Sequence, residues 1–411
     1  MKAELKAGFI ASVHDRQRVS GLTHGFYRYP ARFSPRFARA AIEAFTEPGD
    51  TVFDPFMGGA TTLVEAAALG RQAVGTDINS LSVFVAQIKT TTFTEDDLEK
   101  VNVWINNVAD NLNLHHEMER DRAWAERGYQ RNISCRKTWP IRKSLEMALA
   151  RLDHFTTDPQ QRFARCILLK TAQWALDCRK YIPSAQAFRR QLRKHAEDMI
   201  TGARQFSNAI AASEIGRQRE RALCLHRSVA GLETDTRLSD VPAPVLVLTS
   251  PPYPGVHVLY HRWQVQGRRE TPAPYWIASS LDGDGSSFYT FGDRHQPGLM
   301  DYFTSALAAF KSVAMLATER THIVQMVAFS DPSWQLPLYL KTMEKAGLVE
   351  HRYSEFTNAD DGRLWRSVPN RKFYADQKGT TASSKEVVLF HKRKIVRHVR
   401  TPIDPTHGEA Y

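Results

Sequence analysis

Thr51-Val52-Phe53-Asp54-Pro55-Phe56-Met57-Gly58-Gly59-Ala60-Thr61-Thr62 decides the reading of this chain. Thr51 to Phe56 is a short strand that must end at Asp54-Pro55, because proline lacks the N–H that a sheet interior uses. Met57 to Thr62 is a glycine turn that opens a helix, Leu63 to Leu69, stopped by Gly70. Strand, glycine turn and helix in that order form the nucleotide-cradling unit of a doubly wound α/β fold. The glycines let backbone approach a ligand, and the helix N-terminus offers free N–H groups. A second strand, Gln72 to Thr76, ends at Asp77, about 20 residues beyond the turn, where a carboxylate accepts hydrogen bonds from ribose hydroxyls. The dinucleotide pattern Gly-x-Gly-x-x-Gly is absent. Asp54 would repel a phosphate at the turn and would accept hydrogen bonds from an ammonium group, which points to S-adenosylmethionine rather than NAD.

Working outward, residues 1 to 20 read as a polar, loose lead-in, followed by His24-Gly25-Phe26-Tyr27-Arg28-Tyr29-Pro30-Ala31-Arg32-Phe33-Ser34-Pro35. That stretch is dense in aromatic residues, arginine and proline, and reads as an ordered loop before a helix from about Pro35 to Phe45. Past Asp77, a helix is expected over Asn79 to Lys89. From Thr94 to about Arg219 the β-α alternation stops and helical patterns take over, at Leu145 to Phe155, Phe163 to Ala175 and Ala185 to Ile210. Basic residues interleaved with aromatics, at Cys178 to Ser184 and Phe188 to Lys194, fit phosphate-backbone contacts.

Alternation resumes with a third strand, Arg221 to His226, and a fourth, Val245 to Thr249, that runs into Thr249-Ser250-Pro251-Pro252-Tyr253. A Val- and Leu-rich run between turn signals is a buried parallel strand. Two consecutive prolines force the chain out of the sheet at Ser250, at the carboxyl end where open α/β sheets place their ligands. A long segment, Pro254 to Gly298, follows and reads as a loop region beside the site. Then come a helix over Leu299 to Leu316, a fifth strand over His322 to Phe329 and a helix over Trp334 to Ala346. Val349 to Phe356 and Glu386 to Phe390 read as an antiparallel edge pair. The tail from His391 to Arg400 is basic, and the last residues are expected to be disordered. The expected units are 1–93 (cofactor part), 94–219 (helical insert), 220–395 (catalytic part) and 396–411 (tail).

The chain has 411 residues, of which 42% are hydrophobic, enough for a full-sized core. Lys and Arg number 55 against 44 Asp and Glu, a net charge of +11 that suits a polyanionic partner. Cys135, Cys166, Cys178 and Cys224 form no CxxC pair, so a structural role in a reducing, cytoplasmic setting is expected and no metal site is. No apolar run approaches the roughly 20 residues of a membrane span.

The glycine-turn stretch from Asp54 to Thr62 resembles the cofactor motif of the DNA amino-methyltransferases, and Thr249 to Tyr253 resembles their catalytic motif, [DNS]PP[YFW]. His24 to Pro35 is similar to the family's additional cofactor motif. The resemblance implies a Rossmann-like methyltransferase fold, α/β and doubly wound, with a seven-stranded mixed sheet and a large helical insert. It implies methyl transfer from S-adenosylmethionine to an exocyclic amine of a flipped base in double-stranded DNA, in restriction-modification or phage defence, with a cognate endonuclease or defence partner. Asp54, Pro55, Phe56, Gly58, Gly59 and Thr61 would line the cofactor's methionine end, Asp77 would bind the ribose and Ile78 the adenine. His24, Tyr29 and Phe33 would close over the amino-acid moiety. Ser250 and the Pro251 backbone would accept from the target amine, Pro252 would stiffen the turn and Tyr253 would stack on the base.

Ser in the catalytic motif favours N4 of cytosine, whereas Asp is commoner in N6-adenine enzymes. A cytosine-C5 mechanism would need a Pro-Cys pair, and none occurs. Ala60 stands where the motif has Gly, and His226-Arg227-Ser228 follows the third strand in place of the usual Gly-Asp. Other readings are an RNA or small-molecule methyltransferase, or a binding protein on an inactive methyltransferase fold. Either the insert or the Pro254–Gly298 segment would recognise the target.

Overall fold

In the computed structural model, a mostly parallel sheet places both motifs at one edge. The structure describes residues 3–15, 17, 19–29, 34–115, 122–213, 222–255, 262–267, 269–282, 291, 297–367 and 385–395. In chain order the strands are β1 (Thr51–Asp54), β2 (Gln72–Asp77), β3 (Ala222–His226), β4 (Leu246–Thr249), β5 (Trp263–Val265), β6 (Arg269–Thr271), β7 (His322–Ala328), β8 (Leu348–Glu350), β9 (Leu364–Ser367) and β10 (Lys385–Arg393). The main sheet has the order β3-β2-β1-β4-β7-β10-β8, with β9 also pairing to β10. The strands up to β7 run parallel, and β10 is antiparallel to β7, β8 and β9. This is the doubly wound mixed α/β sheet that the sequence implies. The chain moves outward from β1 through β2 to β3, then returns to lay β4 on the other flank of β1. That reversal creates a switch point between the carboxyl ends of β1 and β4, where such sheets bind ligands.

The helices are α1 (Ala3–Val13), α2 (Pro35–Phe45), α3 (Thr61–Ala68), α4 (Ser80–Thr90), α5 (Glu95–Asp110), α6 (Arg122–Glu126), α7 (Trp139–Leu149), α8 (Asp158–Leu176), α9 (Ala185–Ala212), α10 (Ala273–Ala278), α11 (Met300–Leu316) and α12 (Pro332–Lys345). Side chains of β1 and β4 alternate between two cores. Val52, Leu246 and Leu248 pack with Phe9, Phe37 and Leu63, while Phe53 and Val247 pack with Phe310, Val313 and Tyr339. Helices therefore cover both faces, which is why these strands read as continuous apolar runs. At Gly75 in β2, a Cβ would lie 2.8 Å from Met57 Sδ and 2.9 Å from Leu63, so the glycine turn and α3 rest directly on this strand.

Helices α5 to α9 lie between β2 and β3, as the loss of alternation predicts. They share one apolar cluster with Phe26, Tyr27, Tyr29, Leu81, Trp263 and Tyr275, so the insert packs continuously against the segments that border the site. Trp263 Nε1 donates to the Tyr27 hydroxyl at 3.0 Å, and the Cys178 N–H donates to Gln264 O at 2.7 Å.

Three expectations are corrected. Residues 3–13 are a helix rather than a loose lead-in, because Phe9 and Val13 supply apolar contacts to the core beneath α2. The strand expected over Val349–Phe356 is only Leu348–Glu350. Its partner, Lys385–Arg393, is no edge: it lies inside the sheet between β7 and β8. The segment after Pro254 is not all loop, since it forms the β5–β6 hairpin and α10. Residues 396–411, expected to be disordered, lie outside the described residues.

Candidate active site at the switch point

Asp54 ends β1 and is buried. Its Oδ1 accepts from the Thr249 hydroxyl at 2.8 Å and the Phe56 N–H at 3.1 Å, and its Oδ2 accepts from the Thr62 hydroxyl at 2.8 Å. Thr249 ends β4 and Thr62 lies in the first turn of α3, so one carboxylate fixes the glycine turn, its helix and the catalytic strand to one another. Burial pushes the Asp54 carboxyl up to about 6, opposed by those same hydrogen bonds.

At the end of β2, Asp77 Oδ2 accepts from the Gly58 N–H at 3.0 Å and the Ser82 hydroxyl at 2.8 Å, and Oδ1 accepts from the Asn79 N–H at 2.8 Å. Burial raises its carboxyl, and these hydrogen bonds together with nearby His226 lower it. His226 Nε2 donates to Ile78 O at 3.1 Å, so the last residue of β3 is tied to the residue just past β2. Ile78 itself is 47% exposed between the two anchored residues Asp77 and Asn79. An apolar side chain left open beside a carboxylate, above a glycine turn, fits an adenosine face and its ribose.

The glycine turn is built without slack. Gly58 has φ +43°, and a Cβ on Gly59 would lie 3.0 Å from Tyr29 Cβ, so the Tyr29 side chain lies on the turn. Ala60 has φ 60° and ψ 31°, the left-handed region, at the N-cap of α3. The related motif's Gly at this position is thereby explained: an L-residue pays about 1 kcal/mol there. Lys89, fully buried, donates from Nζ to Gly59 O at 2.8 Å beneath the turn. Asn79 links the loop to the later segment, donating to the Tyr29 hydroxyl at 3.2 Å and accepting from the Tyr275 hydroxyl of α10 at 2.9 Å.

His24 is buried, with Nε2 2.7 Å from Glu65 Oε1 on α3, and Arg39 of α2 donates to Glu65 Oε2 at 2.9 Å. This contact holds the His24–Tyr29 turn against the helix that begins at the glycine turn. Phe33, expected beside them, lies outside the described residues.

After β4, Ser250 Oγ is 2.7 Å from the Tyr253 hydroxyl, which donates to Glu386 Oε1 at 2.9 Å. Arg366 of β9 closes the series on Glu386 Oε2. Pro251 is buried, and the Pro252 carbonyl accepts from the Tyr302 hydroxyl at 2.7 Å. The Tyr302 ring meets Phe291, which meets Phe56, with centroids 5.6 and 5.4 Å apart. Tyr253 is only 8% exposed, so its ring is not an open platform. Sequence reasoning missed Glu386, Arg366, Glu65, Asn79, Tyr275 and Tyr302. Glu386, Arg366, Tyr275 and Tyr302 act from distant elements that no local pattern signals, whereas Asn79 and Glu65 lie within a few residues of Asp77 and the glycine turn.

The family model described as DNA methylase matches residues 6–87, which take in the His24–Tyr29 turn, β1, the glycine turn and Asp77. This segment is similar to DNA methylases. The pentapeptide Thr249–Tyr253 lies beyond it. Type II methyltransferase M.MvaI of Kocuria varians is 42% identical over 73 residues, 17% of this chain and 16% of that protein. DNA adenine methyltransferase YhdJ of Escherichia coli is 38% identical over 69 residues, 17% of this chain and 24% of that protein. The chain thus matches less than a quarter of either curated relative. AviRa, an rRNA methyltransferase of Streptomyces viridochromogenes, aligns over 89% of each chain at 10% identity with a TM-score of 0.30, too loosely to bear on the site. The methylase segment on a doubly wound sheet implies S-adenosylmethionine as cofactor. No helix among the described residues is long and apolar enough to cross a membrane.

On the insert side, Arg28, Lys170, Trp174, Arg179 and His195 line a cleft of about 380 Å³. The Arg179 guanidinium lies 5.1 Å from the Trp174 ring centroid. Burial, then the charges of Lys170 and Lys194, push His195 down to about 3, leaving it neutral in a positive field.

Proposed function

We propose that the protein is a DNA amino-methyltransferase that methylates the exocyclic N4 of cytosine, working in the cytoplasm within a restriction-modification or defence system beside a cognate endonuclease. The observation that carries this reading is the Thr249–Asp54 hydrogen bond, which sets Ser250 at the switch point beside the glycine turn. Asp77, Ile78, the turn from Asp54 to Thr61, His24 and Tyr29 would hold the cofactor. S-adenosylmethionine supplies a methyl group already activated as a sulfonium, so the protein needs no nucleophile of its own.

The remaining work falls to the chain. The lone pair of a base amine is delocalised into the ring. Ser250 Oγ and the Pro251 carbonyl would accept from the amine's hydrogens, favour the pyramidal form and free the lone pair for in-line attack; the N–CH3 bond would form as the sulfonium S–CH3 bond breaks to a neutral thioether, and the methylated amine would lose one proton to solvent. Tyr253 borders the extruded base, whose removal from the stack needs a tight pocket. Alignment of the two reactants then supplies much of the rate. The cleft of Arg28, Lys170 and Arg179 suits a DNA phosphate, which supports double-stranded DNA as the partner and predicts affinity that falls steeply with salt.

N6 of adenine is the second reading, supported by the likeness to YhdJ. Nucleoside mass spectrometry of DNA incubated with the protein and methyl-labelled S-adenosylmethionine decides. Labelled N4-methylcytosine is expected. Labelled N6-methyladenine moves the assignment to the second reading, and unlabelled DNA overturns both.

A further inference from the structure

Tyr253 has a single hydroxyl proton and, among the described residues, close oxygens at Glu386 Oε1, 2.9 Å, and Ser250 Oγ, 2.7 Å. Glu386 is buried on β10, and its second oxygen is held by the Arg366 guanidinium, which also donates to Val13 O at 3.2 Å. A carboxylate locked to a guanidinium in this way is ionised and can only accept. Tyr253 must therefore give its proton to Glu386. The short contact between Tyr253 and Ser250 needs a proton as well, and only Ser250 can supply it. With that proton directed at Tyr253, Ser250 Oγ faces any third partner with lone pairs alone.

We infer that Glu386, held by Arg366, is a positioning residue that fixes the polarity of Ser250, so that its hydroxyl meets the target amine as an acceptor. The inference rests on the methyl-transfer reading. The polarity matters because a serine free to turn could donate its proton to the amine nitrogen and occupy the lone pair that must attack. An acceptor-only serine draws on the amine hydrogens instead. β9 and β10 thereby reach into the chemistry from the far side of the sheet, through the ring of the catalytic motif.

The test is methyl transfer to unmethylated plasmid DNA by the full chain and by three variants: Glu386→Gln, Tyr253→Phe and the two combined. Glu386→Gln, whose amide can donate to Tyr253, is expected to lower kcat by roughly 10- to 100-fold, the range for loss of one preorganised polar contact or less. The cofactor Kd from calorimetry and the KM for DNA should stay within about two-fold, since Glu386 is buried behind Tyr253. Tyr253→Phe keeps the ring and removes the hydroxyl, and a similar fall in kcat is expected. Combining the two should add less than about two-fold to Tyr253→Phe alone, because the relay is already cut.

Equal loss from Glu386→Gln in both backgrounds overturns the positioning role, as does full kcat in Tyr253→Phe. If Glu386→Gln fails to bind cofactor, Tyr253→Phe decides alone: lost kcat with unchanged cofactor Kd and KM for DNA supports the role, and wild-type behaviour overturns it. Absence of transfer by the wild-type chain overturns the functional reading and the positioning role with it. Transfer by the wild type with an unaffected Tyr253→Phe overturns the positioning role only.

Discussion

The ends of β2 and β4 lie at the same sheet edge and are held in opposite ways. Asp77 bonds to Asn79 and Ser82, two and five positions on, and to Gly58, 19 positions back. Thr249 reaches Asp54 across 195 positions, and Tyr253 reaches Glu386 across 133. The proposed cofactor end is a local device that one turn and one strand nearly complete by themselves. The proposed catalytic end exists only once β1, β4, β9 and β10 have docked. A site divided this way should tolerate damage to one end without loss of the other, and four experiments probe that division.

Ser250→Ala should have the largest effect. Loss of the acceptor is expected to lower kcat by about 100- to 1,000-fold, as for removal of one group from a preorganised transition-state contact. The cofactor Kd by calorimetry should not move. A parallel loss of cofactor binding would show that the two ends are one unit.

Asp54 joins the ends, and its charge is a pH-dependent strain. Its carboxyl is raised from 3.8 to about 6 by burial, so the folded state holds the proton more tightly than the unfolded one. That contribution is fully present below about pH 4 and is lost as pH rises through about 6, a change of about 3 kcal/mol at roughly 1.4 kcal/mol per unit. Urea midpoints of the wild type and Asp54→Asn across pH 4 to 7 should diverge, the variant gaining relative to the wild type as pH rises. His322 and His391, pushed down by burial to about 4, work in the other direction. Their contribution is present above about pH 6.5 and lost as pH falls toward 4, so the comparison must use the difference between variant and wild type rather than the raw curve.

Asp77→Asn keeps the side-chain shape and removes the charge. Cofactor affinity is expected to fall about 10- to 100-fold, the worth of one charged hydrogen bond. At saturating cofactor, kcat should change little, because the β4 end is untouched. A selective loss of kcat would reverse the assignment of the two ends.

Ala60→Gly should have the smallest effect and a favourable sign. Relief of a left-handed alanine is expected to add about 0.5–1 kcal/mol, read as a rise in the thermal midpoint. A fall would mean that contacts of the buried Ala60 methyl outweigh the backbone strain.

Much of this was legible in order along the chain. Pro55 marked the end of β1, Gly58 and Gly59 the turn, Gly70 the end of the helix, and Pro251-Pro252 the exit from β4. Local steric rules act within a few residues and leave their mark in residue type. Val349–Phe356 misled because alternation marks a strand without saying how much of it finds a partner, and β10 pairs with only three of those positions or their neighbours. Residues 3–13 misled because the partners that bury Phe9, among them Phe356 and Phe390, lie more than 300 positions away in sequence.

From the sequence alone came the doubly wound order, the glycine turn between Asp54 and Asp77, the helical insert and the exit of the chain at Ser250 from a strand's carboxyl end. Each follows from propensity, proline and glycine geometry, or the spacing of one βαβ unit. Tertiary structure alone decided that Thr249 and Thr62 share Asp54, that Tyr29 and Tyr275 clamp Asn79, and that Tyr253 points to a Glu386–Arg366 pair. These depend on strand order and register, which arise from packing two cores against one sheet. The direction of a hydroxyl proton on Ser250 is set by a carboxylate that only the folded chain brings within reach.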